Sequence, residues 1–327
     1  MRICSLLPSG TEILFAMGLG DQVIGVSDLC DYPPECRTKP AVCRSKVDAE
    51  VLSSDEVEQQ MQRLLAAGES PYELDIQWLL KHSADVVLTQ DLCYFCEVSA
   101  EQVREAVQVV AEPPQVVVLQ PKTLEEIFYS FIQVGEACAA VQQAKGLVAH
   151  LRERVDSISR IVREARRIPR VFSLEGINPV VIGGHWIPDL LNLAGGCQEL
   201  YPPGSPAARP RWEDICAWAP EKLYIDLCSS DLARGLREIP WLAAQEGWAG
   251  LPAVKSGDVY LIDHVYFSRP GPRIVQGLEI LAQLTHPELF SGLIPPDTVA
   301  KLDPDMSRRC PASQIASCFR PYPPPAD

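Results

Sequence analysis

"TLEEIFYSFIQVGEACAAVQQAKGLVAHLRERVDSISRIVREAR", residues 123–166, decides how the rest of the chain is organised. It contains no proline, and its apolar residues recur at helical spacing. Leu124, Ile127, Phe128, Phe131, Ile132 and Val134 make the first stripe. Leu147, Val148, Leu151, Val155, Ile158, Ile161 and Val162 continue it. Thr123 and Glu126 form a capping box at the start, and Ile168-Pro169 ends the run. At about 1.5 Å per residue, one helix of this length would reach roughly 60 Å. A strut of that kind divides the chain into two parts.

The two parts share one grammar. The first opens with an apolar strand, Ile3-Cys4-Ser5-Leu6-Leu7. A helix over Thr11–Met17 follows, with Thr11 as its expected cap and Gly18 and Gly20 as its stop. The second opens with Arg170–Leu174, followed by a helix over Ile187–Leu193 and the stop Gly195-Gly196. "IQWLLKHSADVVLTQ", residues 76–90, feeds a helix into a strand at Val86–Thr89. "WEDICAWAPEKLYIDLC", residues 212–228, does the same into Leu223–Leu227. Further strands are expected at Val116–Leu119 and Val259–Ile262. Strands alternating with helices predict mainly parallel sheets covered on both faces. The expected fold is α/β: two α/β lobes joined by one long backbone helix, with a ligand cleft between the lobes. The division is 1–122, an N-terminal α/β lobe; 123–167, the connecting helix; 168–290, a C-terminal α/β lobe; and 291–327, a Pro-rich irregular tail.

Of the 327 residues, 47% are hydrophobic, enough for two cores. The net charge of −14 argues against nucleic acid and anionic membrane surfaces as partners. No run is long enough to span a membrane. The opening "MRICSLLP" is too short in apolar residues for a secretory signal. A cytoplasmic location is therefore expected, and a periplasmic one only if residues were trimmed from the start. Reducing conditions would keep most of the twelve cysteines as thiols. Cys138 and Cys216, inside apolar helical patterns, read as small buried hydrophobes.

Ligands of open α/β sheets sit beyond the carboxyl ends of the strands. The loops expected there carry Tyr32, Tyr94, Trp186, Tyr266 and Phe267, which suits a flat apolar ligand. Such aromatics can equally seal a loop against its sheet. Phosphate-loop, G-x-S-x-G and H-E-x-x-H patterns are absent, so no enzyme is expected. His185 and His264 fall on rim loops, where a hydrogen-bonding role is the ordinary reading. "TQDLCYFCEVSAEQV", residues 89–103, holds Cys93 and Cys96, with Ser99 and Gln102 as a capping box behind them. Together with Cys30, these thiols are packing or cleft-lining groups, ligands of a soft metal, or a redox pair. The last option keeps open a thiol-dependent enzyme acting on a cofactor.

Three stretches carry a family resemblance. "RICSLLPSGTEILFAMGLGDQVIGVSDLCDYPPE" (2–35), "GINPVVIGGHWIPDLLNLAGG" (176–196) and "KSGDVYLIDHVYFSRPGPRIVQGLEILAQLTHPE" (255–288) resemble the cobalamin-binding substrate-binding proteins of ABC importers. These belong to a helical-backbone class that also carries iron-siderophores and haem. The resemblance implies a small-molecule ligand, cobalamin or a related corrinoid, bound by a monomer without catalysis. The role it implies is the substrate-binding component of an ABC importer; with the cytoplasmic location expected above, a cytosolic carrier or scavenger is the other role. Haem, a siderophore or a bare metal is the alternative cargo. The contacts it implies are Tyr32, then Ile177, Asn178 and Trp186, and Tyr266, Phe267 and Arg269; the rim-loop reading adds Asp31, Cys30, Gln90, Cys93, Tyr94 and His185 as candidate contacts. Members dock on the permease through one glutamate per lobe. Glu213 matches the second, while the first position reads Gln77, with Glu73 and Asp75 nearby.

Overall fold

A computed structural model describes residues 1–49, 51–92, 100–108 and 112–323. The chain forms two compact units. One comprises Met1–Asp48, Glu58–Glu153 and Arg269–Pro272. The other comprises Ala49–Val57, Arg154–Ser268 and Arg273–Asp327. Each holds a six-stranded mixed sheet flanked by helices.

In the first unit the strands are β1 (Ile3–Ser5), β2 (Val23–Ser27), β3 (Ala41–Ser45), β4 (Tyr72–Leu74), β5 (Val86–Gln90) and β6 (Gln115–Leu119). Their order is β4-β3-β2-β1-β5-β6, parallel except for the antiparallel β3–β4 pair. The chain winds outward from β1 on one side, then restarts at β5 on the other. The carboxyl ends of β1 and β5 therefore flank a topological switch point. β5 is buried along its whole length, as its unbroken apolar run requires of a central parallel strand. Cys4, Leu6, Val42, Cys43, Val87 and Val103 meet in the core.

The helix after β1 starts earlier than its sequence suggests. It spans Pro8–Ala16 with proline at its first turn, where the missing N–H is no loss. Thr11 is thus no cap; it is fully buried, and its hydroxyl meets the Cys30 thiol at 3.1 Å. The stop at Gly18 is as expected. Gly18 takes φ +75, and Leu19 N–H donates to the Leu14 carbonyl at 2.9 Å, closing a Schellman turn.

The 123–166 stretch is two helices, Leu124–Ala137 and Val141–Val162, and not one. Thr123 does cap the first, accepting from Glu126 N–H. The break is another Schellman turn. Ala139 adopts φ +53, its N–H donates to the Glu136 carbonyl, and Ala140 N–H donates to the Gly135 carbonyl at 2.7 Å. An alanine fills the left-handed position that glycine usually takes, so no residue in the sequence marks the turn. The longer piece, 22 residues, spans about 33 Å at helical rise, not the length of an unbroken strut.

In the second unit the strands are β7 (Val171–Gly176), β8 (Val181–Ile182), β9 (Lys222–Ile225), β10 (Val259–Ile262), β11 (Val299–Leu302) and β12 (Phe319–Tyr322). Their order is β12-β11-β10-β9-β7-β8. β7–β9 and β9–β10 are parallel and the other pairs antiparallel. Gly195, at φ +82, ends the Ile187–Leu193 helix just as Gly18 ends its counterpart. The 291–327 stretch is not an irregular tail. Through residue 323 it supplies two strands of the sheet, and Ile315, Cys318 and Phe319 enter the same core as Leu223, Ile225 and Leu261. Its prolines are accommodated because β12 lies at the edge, where Pro321 withholds no ladder bond from a further strand.

Candidate functional site

Among the described residues, the carboxyl ends of the strands carry most of the sequence-derived site residues, and each unit presents its own set. In the first unit Asp31 and Tyr32 follow β2. Asp31 accepts from two guanidinium nitrogens of Arg269: Nη1 to Oδ1, and Nη2 to Oδ2 at 3.1 Å. Arg269 Nη1 also lies 3.5 Å from Glu12 Oε1, on a side chain only 2% exposed. Burial pulls the guanidinium's pKa down, but hydrogen bonding and charge from Asp31, then the charge of Glu12, outweigh it and hold the pKa above its ordinary value. A fork of this geometry is one that arginine supplies and lysine does not.

The turn that bears Arg269 sits close on the helix after β1. A Cβ placed on Gly271 would come within 3.2 Å of Glu12 Oε2 and 3.5 Å of Ser9 Cα. Tyr32, next to the anchored Asp31, keeps 45% of its surface exposed. The other residues of the set point inward. Cys30 is 4% exposed against Thr11, and Gln90 is buried at the end of β5. Burial first, then the Asp31 charge, pushes the nearby Cys36 thiol's pKa up, so it is held as a thiol. Cys93, Tyr94, Cys96 and Ser99 lie outside the described residues. Among the described residues, no group of three or more His, Cys, Asp or Glu side chains is arranged to hold a metal.

In the second unit Ile177 and Asn178 follow β7, and His185 and Trp186 follow β8. Tyr266 and Phe267 follow β10. Three of these are buried: Ile177 fully, with Trp186 6% and Phe267 1% exposed. The Trp186 indole N–H donates to the Phe267 carbonyl at 2.8 Å, so these loops hold each other down. Helix Ile274–Thr285 presses on the same turn, since a Cβ on Gly277 would meet Phe267 Cε1 at 3.1 Å. Asn178, His185 and Tyr266 stay partly exposed. His185 holds φ +52 while its N–H donates to the Ser205 carbonyl at 2.6 Å. Gly184 beside it lets the backbone of Pro206-Ala207 approach within a distance no side chain would allow.

One buried group at a strand end escaped the sequence reading. Ser173 Oγ on β7 donates to Asp226 Oδ1 at 2.6 Å, just beyond β9. Asp226 is 2% exposed, and among the described residues its Oδ2 has no hydrogen-bond partner. Burial pushes its carboxyl pKa up to about 7. The signal was present: an acid at the end of the apolar run Leu223-Tyr224-Ile225.

Gln77 and Glu213 are both exposed. Gln77 lines a surface depression of about 500 Å3 beside β3 and β4, with Arg44, Glu73 and Asp75. Glu213 opens the Trp212–Trp218 helix, where a carboxylate complements the helix amino terminus.

Comparison with known proteins accords with this architecture. An uncharacterised ABC transporter substrate-binding lipoprotein, YvrC of Bacillus subtilis, is 25% identical over 88% of this chain and 81% of its own length. The vitamin B12-binding protein of Vibrio cholerae is 22% identical over 85% of this chain and 86% of its own. The solved structure of periplasmic vitamin B12 binding protein BtuF of that species superposes with a TM-score of 0.63 at 20% identity, covering 87% of this chain and 96% of that one. The periplasmic heme-binding protein RhuT of Roseiflexus sp. RS-1, without ligand, gives 0.65 at 19%, covering 88% and 99%. These relatives are a lipoprotein and periplasmic proteins, which overturns the expectation of a cytoplasmic location. No helix among the described residues is long and apolar enough to cross a membrane. The family model for periplasmic binding proteins matches residues 3–266, and with two α/β lobes built on mixed sheets, the chain belongs to the periplasmic binding protein family.

Proposed function

We propose that this protein binds a corrinoid outside the cytoplasm and delivers it to an ABC importer, without catalysing a reaction on it. The observation that carries the reading is the Asp31-Tyr32 loop. A large aromatic stands half exposed beside a carboxylate locked by Arg269, in a chain aligned over 85% of its length with a vitamin B12-binding protein. An aromatic face held by an anchored loop is preorganised for a flat ring and loses little freedom on binding.

Within the first unit the proposed contact is Tyr32, with Asp31 and Arg269 positioning it. Within the second, Asn178, His185 and Tyr266 are the proposed contacts, and Trp186, Phe267 and Ile177 shape the loops that carry them. Cys30, bonded to Thr11, supports the first loop, and Gln90 at the end of β5 is a further proposed contact. Glu213, and the acidic surface around Gln77, are the proposed permease contacts. Titration of the purified protein with cyanocobalamin, and separately with haemin, tests the cargo. Saturable binding of cobalamin supports the reading, and binding of haemin alone replaces it.

A further inference from the structure

Cys310 and Cys318 flank the short helical turn that leads into β12. Three backbone bonds fold this stretch onto itself. Cys310 N–H donates to the Ser307 carbonyl at 3.2 Å, Ser307 N–H to the Asp303 carbonyl at 3.0 Å, and Asp303 N–H to the Cys318 carbonyl at 2.8 Å. Asp303 therefore ties both ends, since its side chain also caps the Pro304–Ser307 helix through the N–H groups of Asp305 and Met306. Cys318 is 1% exposed in the core of the second unit, and Cys310 packs against that core while remaining partly open to solvent. Both are free thiols, and the ties through Asp303 bring their segments together at the core of the second unit.

We propose that Cys310 and Cys318 form a disulfide that staples the C-terminal strands to the second unit. The oxidant is an exogenous disulfide, of a protein or a small thiol. The Cys310 thiolate, which reaches solvent, attacks it, forming a mixed disulfide and releasing one thiolate. The Cys318 sulfur then attacks the Cys310 sulfur and releases the second. Two protein thiols are oxidised, one disulfide is reduced to two thiols, and the two protons go to those thiols or to water. Burial, and then the neighbouring Cys310, raises the Cys318 pKa, which suits the slower, resolving role. The staple closes a short loop immediately before Phe319, where the edge strand begins. The extracytoplasmic reading supplies only the oxidising surroundings; the pairing itself rests on the fold.

The test uses the full chain in an oxidised/reduced glutathione buffer, followed by alkylation and tryptic mapping. Trypsin cuts after Arg309, and Pro321 blocks cleavage after Arg320, so Cys310 and Cys318 are released on one peptide. The expected result is that this peptide loses two hydrogen masses and resists alkylation until reduced. Cys310→Ser and Cys318→Ser should each abolish the mass loss, and the oxidised parent should melt a few degrees above the reduced one. Full alkylation of both residues in the oxidised parent overturns the proposal, as does glutathione retained on either one or linkage of either to another cysteine. Because the buffer supplies the oxidant, these outcomes are independent of where the protein resides in its host.

Discussion

Arg269 and Asp31, 238 residues apart in sequence, form a two-point ion pair within the first unit, and Glu12 stands behind it. The pair fixes the loop that carries Tyr32. Arg269→Ala leaves Glu12 buried beside a lost cation, and should destabilise the fold by about 2–3 kcal/mol, less than for a fully buried broken pair because Asp31 is a third exposed. Arg269→Lys should recover only part of this. Urea denaturation of both variants measures it, and two variants as stable as the parent would show that the fork does not hold the loop.

Tyr32 and the buried aromatics should separate cleanly. Tyr32→Ala is expected to weaken cobalamin binding by roughly 1–3 kcal/mol while changing stability by less than about 0.5 kcal/mol. Phe267→Ala and Trp186→Ala should instead cost about 3–5 kcal/mol of stability. Melting curves alongside ligand titrations distinguish the two behaviours. A Tyr32 variant with parental affinity would remove that residue from the site.

Asp226 gives the second unit a pH dependence of known sign. Its carboxyl pKa is raised in the fold to about 7, because burial disfavours the charge. The neutral carboxyl is therefore favoured by folding. Its stabilising contribution is complete below the unfolded pKa and is lost as pH rises through about 7. The loss is on the order of 4 kcal/mol at most, for a shift of about three units. Asp226→Asn should accordingly gain stability relative to the parent as pH rises from 5 to 8 (roughly the window set by that shift). A constant difference between the two proteins across this window would contradict the assignment.

The helix break at Ala139 is open to a similar test. Ala139→Gly relieves the left-handed alanine, and should stabilise by up to about 1 kcal/mol after glycine's extra unfolded-state freedom is counted. Gly135→Ala should do the opposite, by about 1–3 kcal/mol, since its Cβ would lie 2.5 Å from that of Ala144. If Gly135→Ala instead stabilises, the stretch prefers a continuous helix.

These cases show which features the sequence displays. Gly18 and Gly195 end their helices in left-handed turns, and glycine announces such turns. The same turn at Ala139 carries no mark, because alanine there is tolerated by its surroundings and not favoured by its own backbone preference. The alternation of apolar strands and helices made both lobes legible. β11 and β12 were hidden because both are only four residues long and lie in a proline-rich stretch, with Pro321 inside β12 itself, so they resemble irregular chain until a sheet receives them. The described rim loops do lie at strand ends, but sequence does not say which way a loop aromatic turns. Tyr32 stays half exposed, whereas Phe267 and Trp186 close over their own unit. Asp226 went unnoticed because a single acid after an apolar run reads as an ordinary turn residue until its burial is seen.

The most direct measurement is equilibrium titration of the purified chain with cyanocobalamin, followed by absorbance and calorimetry, with haemin as the competing ring. The expected result is saturable one-to-one binding of cobalamin with a Kd of about 1 μM or tighter, roughly −8 kcal/mol, weakened by Tyr32→Ala. Absence of cobalamin binding by a folded protein, or a clear preference for haemin, would contradict the corrinoid assignment.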